Sequence, residues 1–197
     1  MARIGTIAAA CAAGLVALAA AWEGTRPALG LLRPPGAGAP AAFDARCVKC
    51  GRCLEACPYQ AIHAAPLDAG LAAGTPVIDA RAQACRLCAG FPCAAACPTG
   101  ALSPVRERSE VAMGTARIDE ELCLSFKGMR CEVCYRACPL IDDAIAIDYR
   151  PREGDDIHAV FAPVVYEGRC VGCGLCEQRC PVGDPRPAIH VEPTTGA

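Results

Sequence analysis

CVKCGRCLEACP, residues 47–58, holds four cysteines in one short run, Cys47, Cys50, Cys53 and Cys57, and ends on Pro58. The same pattern, Cys-x2-Cys-x2-Cys-x3-Cys-Pro, returns without deviation as CVGCGLCEQRCP at residues 170–181, with Cys170, Cys173, Cys176 and Cys180. Two looser versions lie between them. CRLCAGFPCAAACP carries Cys85, Cys88, Cys93 and Cys97, and CLSFKGMRCEVCYRACP carries Cys123, Cys131, Cys134 and Cys138, with seven residues between its first two cysteines. Each fourth cysteine is followed by proline, at Pro58, Pro98, Pro139 and Pro181. A run that recurs four times with the same ending marks one supersecondary unit reused four times.

The flanks repeat as well. PVID precedes Cys85, ARID precedes Cys123 and APVVYEG precedes Cys170, while AIHA, GALSPV, DAIAIDY and PAIHV follow the four runs in turn. These short segments have strand character, so each unit reads as strand, cysteine loop, brief helix, strand, within an α+β fold. The helix must be brief. Proline cannot continue it and biases the cysteine before it toward extended geometry.

A cubane iron–sulfur cluster needs one thiolate per iron. A Cys-x2-Cys-x2-Cys loop can wrap three corners, and the fourth ligand must come from farther away. In two-cluster bacterial ferredoxins the run ending Cys-x3-Cys-Pro sends its fourth cysteine to the other cluster. Four runs of four supply sixteen thiolates, the complement of four [4Fe–4S] clusters. Structural zinc would want paired Cys-x2-Cys motifs separated by a longer loop, and a disulfide framework would not bunch its cysteines this way.

Composition agrees. Cysteine makes up 17 of 197 residues, aromatics only 5%, and much of the apolar fraction is alanine, so a core of large side chains is thin for this length. The net charge of −2 gives no basic footprint for nucleic acid. His63, His158 and His190 have no partner at ligand spacing, and the acidic pairs Glu120/Glu121, Asp142/Asp143 and Asp155/Asp156 read as solvated turns. Nothing reads as a nucleophile or general base, which points to an electron carrier rather than an enzyme.

The first thirty residues differ from the rest. Arg3 precedes an uncharged, alanine-rich run at residues 4–22, which contains Cys11 and ends on Trp22. This reads as an export signal or as an apolar helix anchoring the chain to a membrane. Residues 31–46, rich in proline and glycine, read as a linker, and residues 47–197 as the four-cluster domain.

With LLRPPG, CVKCGRCLEACPY, AGTPVID, CRLCAGFPCAAACPTGAL and CLSFKGMRCEVCYRACPLIDDAI in view, residues 31–191 resemble the NapG/MauM family of ferredoxin-type proteins. The third motif, with its long gap and following IDDAI, is the most specific part. The resemblance implies a periplasmic electron-transfer protein. Its partners would be a membrane quinol-oxidising protein of the NapH type and a periplasmic redox enzyme, of nitrate reductase or methylamine-utilisation type. Members usually open with a twin-arginine signal, where this chain has Arg3 alone. A maturation factor for a periplasmic enzyme, or an electron-transfer subunit of a hydrogenase or formate dehydrogenase type complex, is the alternative.

The family is similar in turn to the iron–sulfur subunits of molybdoenzymes, which implies nested pairing of the runs. On that basis Cys180 joins Cys47, Cys50 and Cys53; Cys138 joins Cys85, Cys88 and Cys93; Cys97 joins Cys123, Cys131 and Cys134; and Cys57 joins Cys170, Cys173 and Cys176. The corresponding modules are an outer one, residues 47–66 with 160–192, and an inner one, residues 76–150. Pairing of neighbouring runs is the alternative.

Overall fold

The computed structural model describes residues 30–194 apart from residue 153. The apolar run at residues 4–22, expected to be helical, lies outside them. Among the described residues no helix is long and apolar enough to cross a membrane.

Each half of the described chain closes on itself by antiparallel pairing. In the first half β1 (Ile62–Ala64), just after the first cysteine run, pairs with β2 (Pro76–Ile78), just before the second. The ends of that half meet at a bridge between Ala37 and Leu102. The second half repeats the plan on a larger scale. β4 (Ile145–Arg152) and β5 (Asp155–Val165) form the hairpin between the third and fourth runs. Beside them, β3 (Gly114–Ile118) pairs with β6 (Ile189–Pro193) along five residues. The units are therefore tandem, one ferredoxin-like module at residues 37–103 and another at 114–193.

The nested arrangement is thereby corrected. A hairpin closes a short loop and so costs little chain entropy, whereas the expected outer module would join residues 47–66 to residues 160–192 across the whole inner module. GALSPV also departs from expectation, forming the single bridge rather than a strand. Its partner segment contains Pro34 and Pro35, which have no N–H to donate to a ladder.

Residues 31–46 are not a linker. Leu32, Arg33, Pro34, Pro35 and Phe43 are buried, and α1 (Pro40–Arg46) runs directly into Cys47. The Leu32 carbonyl accepts from Ile78 N–H at 2.8 Å, which seats the segment alongside β2. Proline here does not mean flexibility, because its fixed φ suits a close-packed extended path.

Four short helices complete the modules: α2 (Arg52–Glu55), α3 (Pro92–Ala95), α4 (Val133–Ala137) and α5 (Leu175–Arg179). Large side chains are few inside. Alanines and cysteines fill much of both cores, and Phe43, Leu87 and Leu102 are the largest hydrophobic side chains fully buried.

The modules share a seam. The first core runs on through Val111, Met113, Val171, Cys173 and Leu175. Cys85 N–H donates to the Cys173 carbonyl at 3.0 Å. Arg81 Nη1 donates to the carbonyls of Glu177 (2.8 Å) and Cys180 (2.9 Å). At Gly174 the backbone has φ +82°, and a Cβ there would lie 2.5 Å from Ala80 Cβ. Gly174→Ala is therefore expected to cost about 2 kcal/mol from left-handed strain and steric conflict at the seam. Gly168, whose Cβ would meet nothing within 4 Å, supplies the control. Thermal melts of the two alanine variants should separate by several degrees, and equal melting temperatures would show that the seam is not close-packed there.

Candidate iron–sulfur centres

The four helices share one arrangement. The third cysteine of each run sits at the second helical position, at Cys53, Cys93, Cys134 and Cys176, and the fourth follows four residues later, just past the helix. Cys138 and Cys180 have extended geometry, with ψ of 126° and 125°, as the following proline requires. The fourth cysteine is thereby turned toward a different cavity from the third.

Four cavities result, each lined by four cysteines. The first takes Cys47, Cys50 and Cys53 with Cys97. The second takes Cys85, Cys88 and Cys93 with Cys57. The third takes Cys170, Cys173 and Cys176 with Cys138, and the fourth takes Cys123, Cys131 and Cys134 with Cys180. Each cavity is lined by three cysteines of one run, and in all four the distant cysteine differs from the nested assignment. Cys180 faces Cys123 rather than Cys47, and Cys57 faces Cys85 rather than Cys170; likewise Cys138 joins Cys170 and Cys97 joins Cys47. The hairpins β1–β2 and β4–β5 fold each run against its sequence neighbour, and that decides the exchange.

Left-handed turns shape the loops. Lys49 and Gly51 have left-handed φ of 56° and 78°, and Gly172 and Gly174, at the corresponding positions of the fourth run, have 70° and 82°. Such turns point successive N–H groups into a concavity that favours negative charge. Several amides reach sulfur: Ala61 N–H to Cys57 Sγ, Leu102 N–H to Cys97 Sγ and Ala116 N–H to Cys170 Sγ at 3.4 Å, and Leu87 N–H to Cys85 Sγ at 3.5 Å. Leu87, with φ of 49°, is a non-glycine residue held left-handed and fully buried, which spacing alone did not flag.

Burial opposes ionisation of the bare thiols. It pushes Cys85 and Cys134 up to about 12, and Cys53, Cys93 and Cys173 to about 11. At Cys97 burial also pushes upward, but donors from Leu102, Thr99 and Ala101 outweigh it and the net direction is downward. Buried thiolates therefore need a cationic partner. Among the described residues no three His, Cys, Asp or Glu side chains converge closely enough for one metal ion. Thiols held apart around a cavity suit a cubane, whose irons sit at separate corners. A further sign of fit is Arg86, in the wall of the second cavity, whose Nε is buried with no hydrogen-bond partner and could donate to sulfur there.

The long gap of the third run folds as a compact loop. Ser125 Oγ donates to the Cys131 carbonyl at 2.7 Å, and Met129 N–H to that of Leu124 at 3.0 Å. The loop leans on the β4–β5 hairpin, with Arg130 over the Phe161 ring at 4.7 Å and Arg150 over Phe126 at 5.7 Å. Cys123 thus reaches the fourth cavity as a full lining residue.

The histidines stay apart from the cavities. His63 Nε2 accepts from Asp79 N–H, His158 pairs with Asp155, and His190 lies near Glu192.

Residues 46–101 and 127–183 match the 4Fe-4S dicluster domain, one match per module. The chain is 47% identical over 152 residues to the ferredoxin-type protein NapG of Haemophilus influenzae, and 46% identical over 164 residues to that of Escherichia coli. These alignments cover 76% and 82% of this chain, and 54% and 70% of the relatives. The methylamine utilization ferredoxin-type protein MauM of Methylorubrum extorquens is 38% identical over 185 residues, covering 93% of this chain and 82% of its own. The chain belongs to the NapG/MauM ferredoxin-type proteins. It spans about half the length of the Haemophilus relative. Its two matched regions are 4Fe-4S dicluster domains, in keeping with the ferredoxin-type character of that family.

The exchange of fourth cysteines can be tested by pairs of substitutions. Cys57→Ala with Cys93→Ala removes two thiols from one cavity and should cost about four irons, whereas Cys57→Ala with Cys53→Ala strikes two cavities and should cost about eight. Iron analysis of anaerobically purified protein reads the difference, and equal losses would refute the pairing.

Proposed function

We propose that the protein carries four [4Fe–4S] clusters, ligated by the sixteen cysteines as the cavities group them, and passes electrons along them between a membrane quinol-oxidising partner of the NapH type and a periplasmic redox enzyme. The observation that carries this reading is the linear order of the cavities. Helices α2 and α3 each contribute one cysteine to the first cavity and one to the second, and α4 and α5 do the same for the fourth and third. The Cys85–Cys173 hydrogen bond joins the second cavity to the third across the seam.

The clusters would supply one-electron chemistry. The chain's own residues hold the thiolates, direct amides at sulfur and exclude water, which together set cluster potentials. Access is uneven. Cys50, in the first cavity, is exposed, while Cys85 and Cys173, in the second and third, are buried, so exchange with a partner at the first cavity is favoured over the middle of the array.

The names of the relatives favour a nitrate-reductase or methylamine-utilisation setting, and with it a periplasmic location. The apolar run at residues 4–22 would carry the chain across the membrane or hold it there. Anaerobically purified protein should contain about sixteen irons and sixteen acid-labile sulfides per chain. Zinc without sulfide would end the reading. In a reconstituted chain of quinol oxidiser, this protein and periplasmic reductase, turnover should require this protein continuously. A maturation factor would instead become dispensable once its client is active.

A further inference from the structure

The sequence LLRPPG contains a cation that ligation does not use. Arg33 is only 7% exposed, and its guanidinium donates three hydrogen bonds. Nη1 donates to Thr75 Oγ1 and to the Pro76 carbonyl at 3.1 Å, and Nη2 to Asp44 Oδ1 at 2.8 Å. The group lies over the Phe43 ring, 4.8 Å from its centroid. Phe43 and Pro76, both of which it touches, line the first cavity with Cys47, Cys50, Cys53 and Cys97. Asp44, partly exposed, stands on α1 three residues before Cys47. A buried charge one layer behind a redox centre is an expensive feature if its only task is to hold a loop.

We propose that Arg33 is a positioning residue that raises the reduction potential of the cluster in the first cavity, and that Asp44 partly offsets it. The inference rests on the four-cluster reading. When that cluster is reduced, one electron enters, no bond forms or breaks, and the cluster with its thiolates gains one negative charge. A fixed cation behind the wall stabilises the reduced state more than the oxidised one, so the potential rises; the carboxylate acts in the opposite sense. Burial lowers the Arg33 pKa from its ordinary value, and the neighbouring Asp44 and Cys47 raise it. Because a guanidinium stays protonated at any ordinary pH, the cation is a permanent part of this site.

The roles of charge and packing separate by sign. Arg33→Gln should lower the potential of one cluster and leave the others where they are, whereas Asp44→Asn should raise the potential of that same cluster. Arg33→Lys keeps the charge and should stay close to wild type in potential even where it loses stability. Redox titration followed by electron paramagnetic resonance reads all three variants, each first assayed for iron and sulfide. Shifts of the same sign in the glutamine and asparagine variants, or no shift in either, would overturn the inference. If Arg33→Gln fails to retain iron, the lysine and asparagine variants decide it alone: a lysine variant near wild type and an upward shift for asparagine support it, and any other result counts against it. A wild-type protein without iron and sulfide would overturn the four-cluster reading itself, and this inference with it.

Discussion

Everything in this molecule depends on the exchange of one cysteine between paired runs. Each cavity takes three thiols from one loop and a fourth from just past the helix of its neighbour. Neither run of a pair can line a cavity fully alone, so each cavity holds its two runs together. The short helices are the device that makes the exchange possible. Four residues carry the chain from the third cysteine to the fourth, and proline then turns it out of the helix, so the two thiols face different cavities.

This arrangement explains the thin core. A domain of this length would ordinarily bury many large side chains, but here alanine, proline and cysteine crowd around four cavities and few bulky residues are fully enclosed. The cost of burying thiols shows in their raised pKa values, and the surroundings answer it with amides and left-handed turns. Where glycine appears in the fourth run it serves close approach as much as turning. At Gly172 an added Cβ would fall 2.4 Å from Gly114 N, and at Gly174 it would meet Ala80 across the seam.

The seam makes one array of two modules. Modules joined only by a flexible tether would move independently, and the distance between their inner cavities would vary. Here the backbone hydrogen bond from Cys85 and the reach of Arg81 onto the end of α5 tie the halves together. The segment before the first run, which by composition looked loose, contributes as well, since Leu32 and Phe43 belong to the same continuous core.

The repeat, the α+β character and the three thiols that each loop brings to one cavity follow from the sequence alone, because these depend only on local spacing and on what proline does to the residue before it. Even Cys123, separated from its run by seven residues, was legible as a lining residue by position in the repeat. Which distant cysteine completes each site was not, since adjacent and nested exchanges use the same spacings. The tertiary structure decided it through the β1–β2 and β4–β5 hairpins, which bring neighbouring runs together at small entropic cost. The same holds for Arg33 and Arg86. Composition counts them among surface charges, and only packing reveals that one lies buried behind Phe43 and that the other has its Nε enclosed beside four thiols.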